Sequence, residues 1–414
     1  MNQVCKVNGK RMEARLAELG EIGKTPENGV HRLALSAEDK QAQKLVAGWM
    51  KEAGMMVRQD HFGNLIGRKE GTDPQAPVVM LGSHIDSVPN GGRYDGTIGV
   101  IGGIEVVQTI CEANITHTHP IEVVAFCDEE GPRFYSGLFG STGMIGKMTQ
   151  EKLHMPDDEG ISRYDELRSM GLDPDNQQDS VRKPGEIKVY LEMHIEQGPY
   201  LQAMNAPVGI VTGIAGPAWL NIKLHGMAGH AGTVPMNMRR DPMSGAAEVI
   251  LAIEKICGSD PSAPTVGTVG KIAAYPGGQN VIPGTVEFSV DIRDTDEGRR
   301  DAAISQIQAA VDEVCKRRGL TAEVKVNERA KPTLCSEQVM AAMERAAGAL
   351  GLTPPKLVSG AGHDAMCLAE IADMGMIFVR CLDGISHNPK EYASQEDITA
   401  GTEVLLATTL EYVK

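Results

Sequence analysis

Three stretches decide the fold: Pro77–Asp86 (PVVMLGSHID), Ile121–Glu130 (IEVVAFCDEE) and Ile187–Glu196 (IKVYLEMHIE). Each is an apolar run of β-forming residues that ends in histidine and carboxylates. Runs apolar at successive positions suit strands covered on both faces, as in a parallel sheet. Gly96–Glu112, between the first two, reads as a helix, and so does Ser36–Ala53 upstream, with Ser36 placed to cap it. Apolar strands separated by helices predict an α/β domain whose mostly parallel sheet is flanked by helices.

From Gly209 the texture changes. GIVTGIA (Gly209–Ala215) and AWLNIKLHG (Ala218–Gly226) read as adjacent strands. A helix follows over Asp241–Cys257, with Asp241 at the cap and Pro242 in the first turn. Then come a strand at Thr265–Tyr275, a turn at Pro276–Gly284, a strand at Thr285–Asp294, a long helix at Asp296–Arg318 and a strand at Ala322–Glu328. This β-β-α-β-β-α-β order predicts a smaller α+β, ferredoxin-like sandwich. After Lys331 the α/β texture returns: a helix at Ser336–Leu350, the turn GAGHDA from Gly360, a strand at Met374–Arg380 and a closing helix. The expected domains are therefore a discontinuous one, 1–209 with 331–414, and an inserted one, 210–330.

The bulk numbers agree with two domains, since 414 residues exceed what one core usually holds. A net charge of −15 argues against a uniformly basic nucleic-acid surface, and the acidic residues form no tail. No run approaches 18 apolar residues, and the first 20 residues lack the apolar stretch of a signal peptide. Eight scattered cysteines without a CxxC pair suit reduced thiols. A cytoplasmic protein with no membrane or nucleic-acid partner is the expectation.

Ligands of open α/β sheets sit beyond the carboxyl ends of the strands. Those ends deliver His84 and Asp86, with Asp95 following, then Asp128-Glu129-Glu130, then His194 and Glu196; His387 lies in a later loop. Imidazole and carboxylate together suit zinc, manganese or a similar divalent ion. Singly, each has a plainer reading: a satisfied core histidine, a solvated DEE loop, or Asp95 capping the helix after it. Three strand ends carrying the same residue types at one sheet edge make coincidence a poor explanation. HExxH, GxSxG and GxxxxGK[ST] are absent.

In chain order, GSHIDSVPNGGRYDG (Gly82–Gly96), VVAFCDEEGPRF (Val123–Phe134), EMHIEQGP (Glu192–Pro199), GMAGHAGTVPM (Gly226–Met236) with RRDP (Arg239–Pro242), GGQNVIPGTVEFSVDIRD (Gly277–Asp294) and GISHNPKE (Gly384–Glu391) resemble the metal-dependent amidases related to the M20 peptidases. Within that group the likeness is to hydrolases of N-carbamoyl-L-amino acids, with β-ureidopropionases and allantoate amidohydrolases as near relatives. It runs from about Ala14 to the C-terminus.

The resemblance implies two divalent ions per chain, zinc, manganese, cobalt or nickel. His84, Asp95 and His194 would hold one; Asp95, as a bridge, with Glu130 and His387 would hold the other. Glu129 would be the general base, and Asp86 would orient the His84 imidazole. From the insertion, His230 would stabilise the oxyanion while Asn280 and Arg293 grip the substrate carboxylate. Gln197 and the turn Gly360, Ala361, Gly362, His363, Asp364 would line the pocket. The inserted domain would act as a lid and pair in a homodimer, with His230 reaching the neighbouring chain's site. Without the resemblance, Arg293 reads as a surface ion pair with Asp291 or Asp294, and His230 as part of a turn. Asn388 stands where serine is common, and GPAW (Gly216–Trp219) stands where allantoate hydrolases tend to carry a GQRR-like stretch. Allantoate amidohydrolase, β-ureidopropionase, exopeptidase and a metal-free binding protein remain the alternatives.

Overall fold

The three apolar runs form neighbouring strands, Val78–His84, Ile121–Phe126 and Ile187–Ile195, in the computed structural model of the chain, which describes residues 6–414. Val78–His84 lies between the other two and runs parallel to both. Nearly every residue of the three is buried, as their unbroken apolar character requires. Asp373–Val379 extends this parallel core next to Ile187–Ile195. Outside it the sheet turns antiparallel: Leu65–Lys69 and then Met56–Gln59 on one side, Val208–Ile214 on the other. The sheet is thus mixed, parallel at its centre only. The two outer strands Met56–Gln59 and Leu65–Lys69 were not expected, being short and half polar.

Helix Thr97–Glu112 lies against Val78–His84 on one side and the closing helix Gln395–Tyr412 on the other. Thirteen of its sixteen residues are buried, so it is a core helix rather than a surface one. Helix Ala37–Glu52 begins as expected, with the Ser36 hydroxyl accepting the Asp39 N–H at 3.2 Å.

By internal contacts the chain divides into two units: residues up to Thr212 with Cys335–Leu357 and His363–Lys414, and Gly213–Leu334 with Val358–Gly362. The second is built on an antiparallel sheet in the order Ile272–Tyr275, Thr285–Asp294, Gly216–His225, Thr321–Arg329. Strand Gly216–His225 alternates Ala218, Leu220, Ile222 and Leu224 inward, and Thr285–Asp294 does the same with Val286, Phe288, Val290 and Ile292. Helices Pro242–Cys257 and Glu297–Arg318 cover that face with Val249, Ile253, Ile307 and Val311.

Two sequence expectations change here. Gly209–Ala215 is not a neighbour of Ala218–Gly226: Val208–Ile214 pairs with Asp373–Val379, so this apolar run completes the larger sheet. Thr265–Tyr275 is two strands, Val266–Thr268 and Ile272–Tyr275, both on Thr285–Asp294. Three residues separate them where the partner has two between Phe288 and Asp291, a one-residue bulge around Gly270. All seven described cysteines are free thiols, and Cys5 lies outside the described residues. No helix among the described residues is long and apolar enough to cross a membrane.

Ile104 sits fully buried in the middle of Thr97–Glu112. Ile104→Ala should cost roughly 2–5 kcal/mol through lost burial and the cavity left behind. Urea unfolding would measure it; a cost under 1 kcal/mol would contradict this helix's central place.

Candidate metal centre

Parallel registry puts the ends of three strands side by side, since His84 is level with Phe126 and Gly82 with Glu192. His84 and His194 therefore emerge together, and Asp128-Glu129-Glu130 follows from the strand next to them. Asp95 arrives from the loop before helix Thr97–Glu112. That helix has no side-chain cap, so the plain capping reading of Asp95 does not hold. Gly96 takes its place at φ 64°, and a Cβ there would stand 2.4 Å from His84 Nε2. Only glycine meets both demands.

The two oxygens of Asp95 face different partners. Oδ1 is 3.6 Å from His84 Nε2 and 3.0 Å from His194 Nε2. Oδ2 is 3.4 Å from His387 Nε2, which in turn is 3.4 Å from Glu130 Oε2. Ligand atoms about 2.0–2.2 Å from a tetrahedral ion stand roughly 3.4 Å apart, so both groups fit the spacing of donors around one ion. In each triad, His84–Asp95–His194 and Asp95–Glu130–His387, the donor atoms lie within 4.8 Å of one another. Two of the three imidazoles also have their other nitrogen fixed: His84 Nδ1 is 3.1 Å from the Asp86 carbonyl, and His194 Nδ1 is 2.9 Å from the Ile195 carbonyl. A carbonyl can only accept, so both rings carry a proton on Nδ1, which leaves Nε2, on the Asp95 side, as the nitrogen that can ligate a cation.

The electrostatics fit the same occupant. Burial raises the Glu129 carboxyl well above its usual range, partly offset by His84 and reinforced by Glu130. Burial beside Asp95 pushes Glu130 up to about 7. Burial alone would lower His84, but Glu129, Asp95, Asp86 and Glu130 hold it well above the ordinary histidine value. Burial would raise Asp95, and His194, His387 and His84 hold it well below the carboxylate range. The Asp95 contact, against burial, takes His387 up to about 9. Several carboxylates crowded into one dry basin need cations, and a divalent ion meets that need with the donors present. Gln197 contributes too. Its Nε2 donates to Asp95 Oδ2 at 2.9 Å, while its Oε1 is buried without a partner.

Asp86 does less for the imidazole than its spacing implied. Its carboxylate stands 3.7 Å from His84 Nδ1, and its backbone carbonyl is nearer. The carboxylate instead accepts the N–H groups of Glu129 and Glu130, at 3.3 and 3.2 Å. Asp128, the first residue of that loop, pairs with Arg163, both fully buried; the guanidinium lies between the Phe134 and Phe139 rings. The DEE loop is therefore a fixed element rather than a solvated one.

The insertion residues lie in the second unit. Arg293 donates to both oxygens of Asp291 and to the Gly360 carbonyl at 2.7 Å, so the ion pair with Asp291 exists. His230 is exposed, in a two-residue ladder with Val281, and its Nδ1 accepts the Gly232 N–H. The exposed Asn280 lends its carbonyl to the Ala231 N–H. Gly360 and Gly362 are exposed and Ala361 half-buried. His363 is in the first unit, its ring 4.6 Å from that of His194 and its imidazole held well below the usual value by burial and by His194.

Several residues were missed. Glu192 sits two positions before His194, fully buried, accepting from Ser83 Oγ, Tyr190 OH and the Ala365 N–H. Its signal was a charged residue inside an otherwise apolar strand. Ser386 and Glu391, in the His387 loop, reach the Asp95 loop. Nothing local in the sequence announces that contact.

Asp86→Ala should leave two largely buried N–H groups unpaired and cost about 1–3 kcal/mol. Amide exchange at Glu129 and Glu130 should accelerate, while the Nδ1 proton of His84, held by the backbone, stays detectable by NMR. Loss of that proton with unchanged exchange would return Asp86 to the orienting role.

Comparison with known proteins places the chain. Residues 80–411 match the model of peptidase family M20/M25/M40. An N-carbamoyl-L-amino-acid amidohydrolase from Pseudomonas sp. (strain NS671) is 54% identical over 98% of this chain and 99% of its own length. An N-carbamoyl-L-amino acid amidohydrolase from Geobacillus stearothermophilus is 50% identical over 97% and 98%. The crystal structure of an amidase of the hydantoinase/carbamoylase family from Burkholderia multivorans, 37% identical, superposes with a TM-score of 0.94 over 99% of both chains. The chain accordingly belongs to the M20/M25/M40 peptidase family, as one of its amidohydrolases.

Proposed function

We propose that the protein hydrolyses N-carbamoyl-L-amino acids to the free amino acid, carbon dioxide and ammonia, using two divalent ions per chain. The carrying observation is the split of Asp95, one oxygen toward His84 and His194, the other toward His387. His84, Asp95 and His194 would hold one ion, and Asp95, Glu130 and His387 the other; zinc, manganese, cobalt and nickel all suit these donors. When bound, such a pair lowers the pKa of water and polarises the substrate carbonyl.

Glu129 would do the proton work. Its Oε2 lies 3.6 Å from His84 Nε2, at the edge of the first triad, and burial raises its affinity for a proton, as a base requires. It takes a proton from the attacking water and gives it to the leaving nitrogen. The C–O bond forms first, giving a tetrahedral oxyanion; the C–N bond to the amino-acid nitrogen then breaks as that nitrogen takes the proton, and the carbamic acid released decomposes to carbon dioxide and ammonia. Gln197 and the turn Gly360–His363 would line the pocket, and Asp86 holds the loop that carries Glu129. From the insertion, His230 would donate to the oxyanion. Arg293 and Asn280 would receive the α-carboxylate, Arg293 by exchanging its Asp291 contact for a bidentate one.

We further propose that the insertion works as a lid, swings about the crossings near Gly209 and Lys331, and pairs with its copy in a cytoplasmic homodimer, so that His230 serves the neighbouring site. No nucleic acid or membrane enters this scheme.

Chelation should abolish activity, and Mn, Co, Ni or Zn should restore it. Full activity in metal-free protein would end the proposal. Glu129→Gln should lose about 10²–10⁴ in kcat while still binding metal; if Glu130→Gln alone behaves that way, the two roles are exchanged. Assays against N-carbamoyl-L- and D-amino acids, N-carbamoyl-β-alanine, allantoate and dipeptides should show the L-carbamoyl compounds turned over fastest and the D forms refused. Faster turnover of allantoate, N-carbamoyl-β-alanine or a dipeptide would instead identify an allantoate amidohydrolase, a β-ureidopropionase or an exopeptidase.

A further inference from the structure

Of the five proposed ligand residues, four have side chains no more than 8% exposed, whereas that of His387 is 49% exposed. It stands at φ 53°, an unfavourable region for a residue with a side chain, on a loop outside any strand or helix. Such a ligand needs an anchor other than burial. The anchor present is Glu391, four positions on and 4% exposed.

Its carboxylate joins two segments almost 300 positions apart. Oε1 accepts the backbone N–H groups of Tyr94 at 2.8 Å and Asp95 at 3.0 Å. Oε2 faces the Ser386 hydroxyl at 3.0 Å. The same hydroxyl is 2.7 Å from Asp95 Oδ2. Gly92 makes the space: a Cβ there would fall 2.0–2.2 Å from the Glu391 carboxyl atoms.

Resting on the two-ion reading above, we propose that Glu391 is a positioning residue that sets the second ion site by tying the His387 loop to the Asp95 loop. Two effects follow from the bonds. The first is geometric: Glu391 fixes the separation of Asp95 Oδ2 and His387 Nε2, which must both reach one ion. The second concerns a proton. Ser386 has one hydroxyl proton and two carboxylates within reach. Given to Asp95, it occupies a lone pair on the oxygen that faces His387. Given to Glu391, it removes one competing proton from that oxygen, the Gln197 amide donating there at 2.9 Å in either case. A carboxylate at 391 permits the second arrangement. An amide there presents Nε2 to Ser386 once its oxygen keeps the two N–H groups, which commits the hydroxyl proton to Asp95.

The test is calorimetric titration of metal-free protein with Mn²⁺, alongside the thermal midpoint of the metal-free form. Wild type should take up two ions. Glu391→Ala should weaken one of them about 10–100-fold, the usual cost of removing a partner behind a ligand, and the other much less. His387→Ala should lose that same ion, which identifies it. Gly92→Ala should reproduce Glu391→Ala by crowding the carboxylate, although it removes no bonding group. Glu391→Gln should bind more weakly than wild type, and adding Ser386→Ala to it should restore affinity by removing the competing proton. If Glu391→Ala does not fold, Glu391→Gln with and without Ser386→Ala carries the test. Wild-type affinity for both ions in Glu391→Ala or Glu391→Gln would overturn the inference and leave the two-ion reading standing. Equal weakening of both ions with a fallen midpoint would also overturn it, as a merely structural effect. Wild type that takes up no ion would overturn both.

Discussion

The carboxylate of Asp95 is the contact on which the sheet edge depends. Buried, it is held in its charged form by imidazoles from three separate parts of the chain. Those imidazoles are in turn held above their usual pKa by carboxylates that burial pushes the other way. No buried member of this set is stable in its observed place without the rest, because a lone buried charge costs several kcal/mol. A site of this kind costs stability, and the surrounding framework has to supply it.

The framework does so with backbone contacts. Arg32, fully buried, spends its guanidinium on the carbonyls of Ile85, Leu19 and Ile22, and Ile85 lies between His84 and Asp86. Arg163 closes on Asp128 at the root of the loop that carries Glu129 and Glu130. Asp86 takes the next two N–H groups of that loop. Strand ends bring the ligands to one edge, and buried charged pairs and carbonyls fix their last ångström, the tolerance that a preorganised site demands.

Much of this was legible in the sequence, for a physical reason. A strand buried on both faces must be apolar throughout, so histidine and carboxylates at its end stand out, as in SHID, CDEE and EMHIE. Three such ends at one edge marked a candidate metal site, and the resemblance chose the ligands within it. Less was legible where the signal is a contact between distant segments. Glu391 looked like any charged loop residue, and its partners lie 296 and 297 positions away. Asp86 matched the spacing of a residue that orients its neighbour's ring, but its backbone does that work and its side chain serves another loop. Val208–Ile214 read as part of the insertion because apolar alternation does not say which sheet a strand joins; pairing with Asp373–Val379 does.

The most direct measurement is a crystal structure of protein loaded with Mn²⁺, with data collected at the metal's absorption edge. Two anomalous peaks flanking the Asp95 carboxylate are expected, one bounded by His84 and His194, the other by Glu130 and His387. A single peak, or peaks that leave one Asp95 oxygen without a metal, would contradict the bridging role on which the proposed chemistry rests.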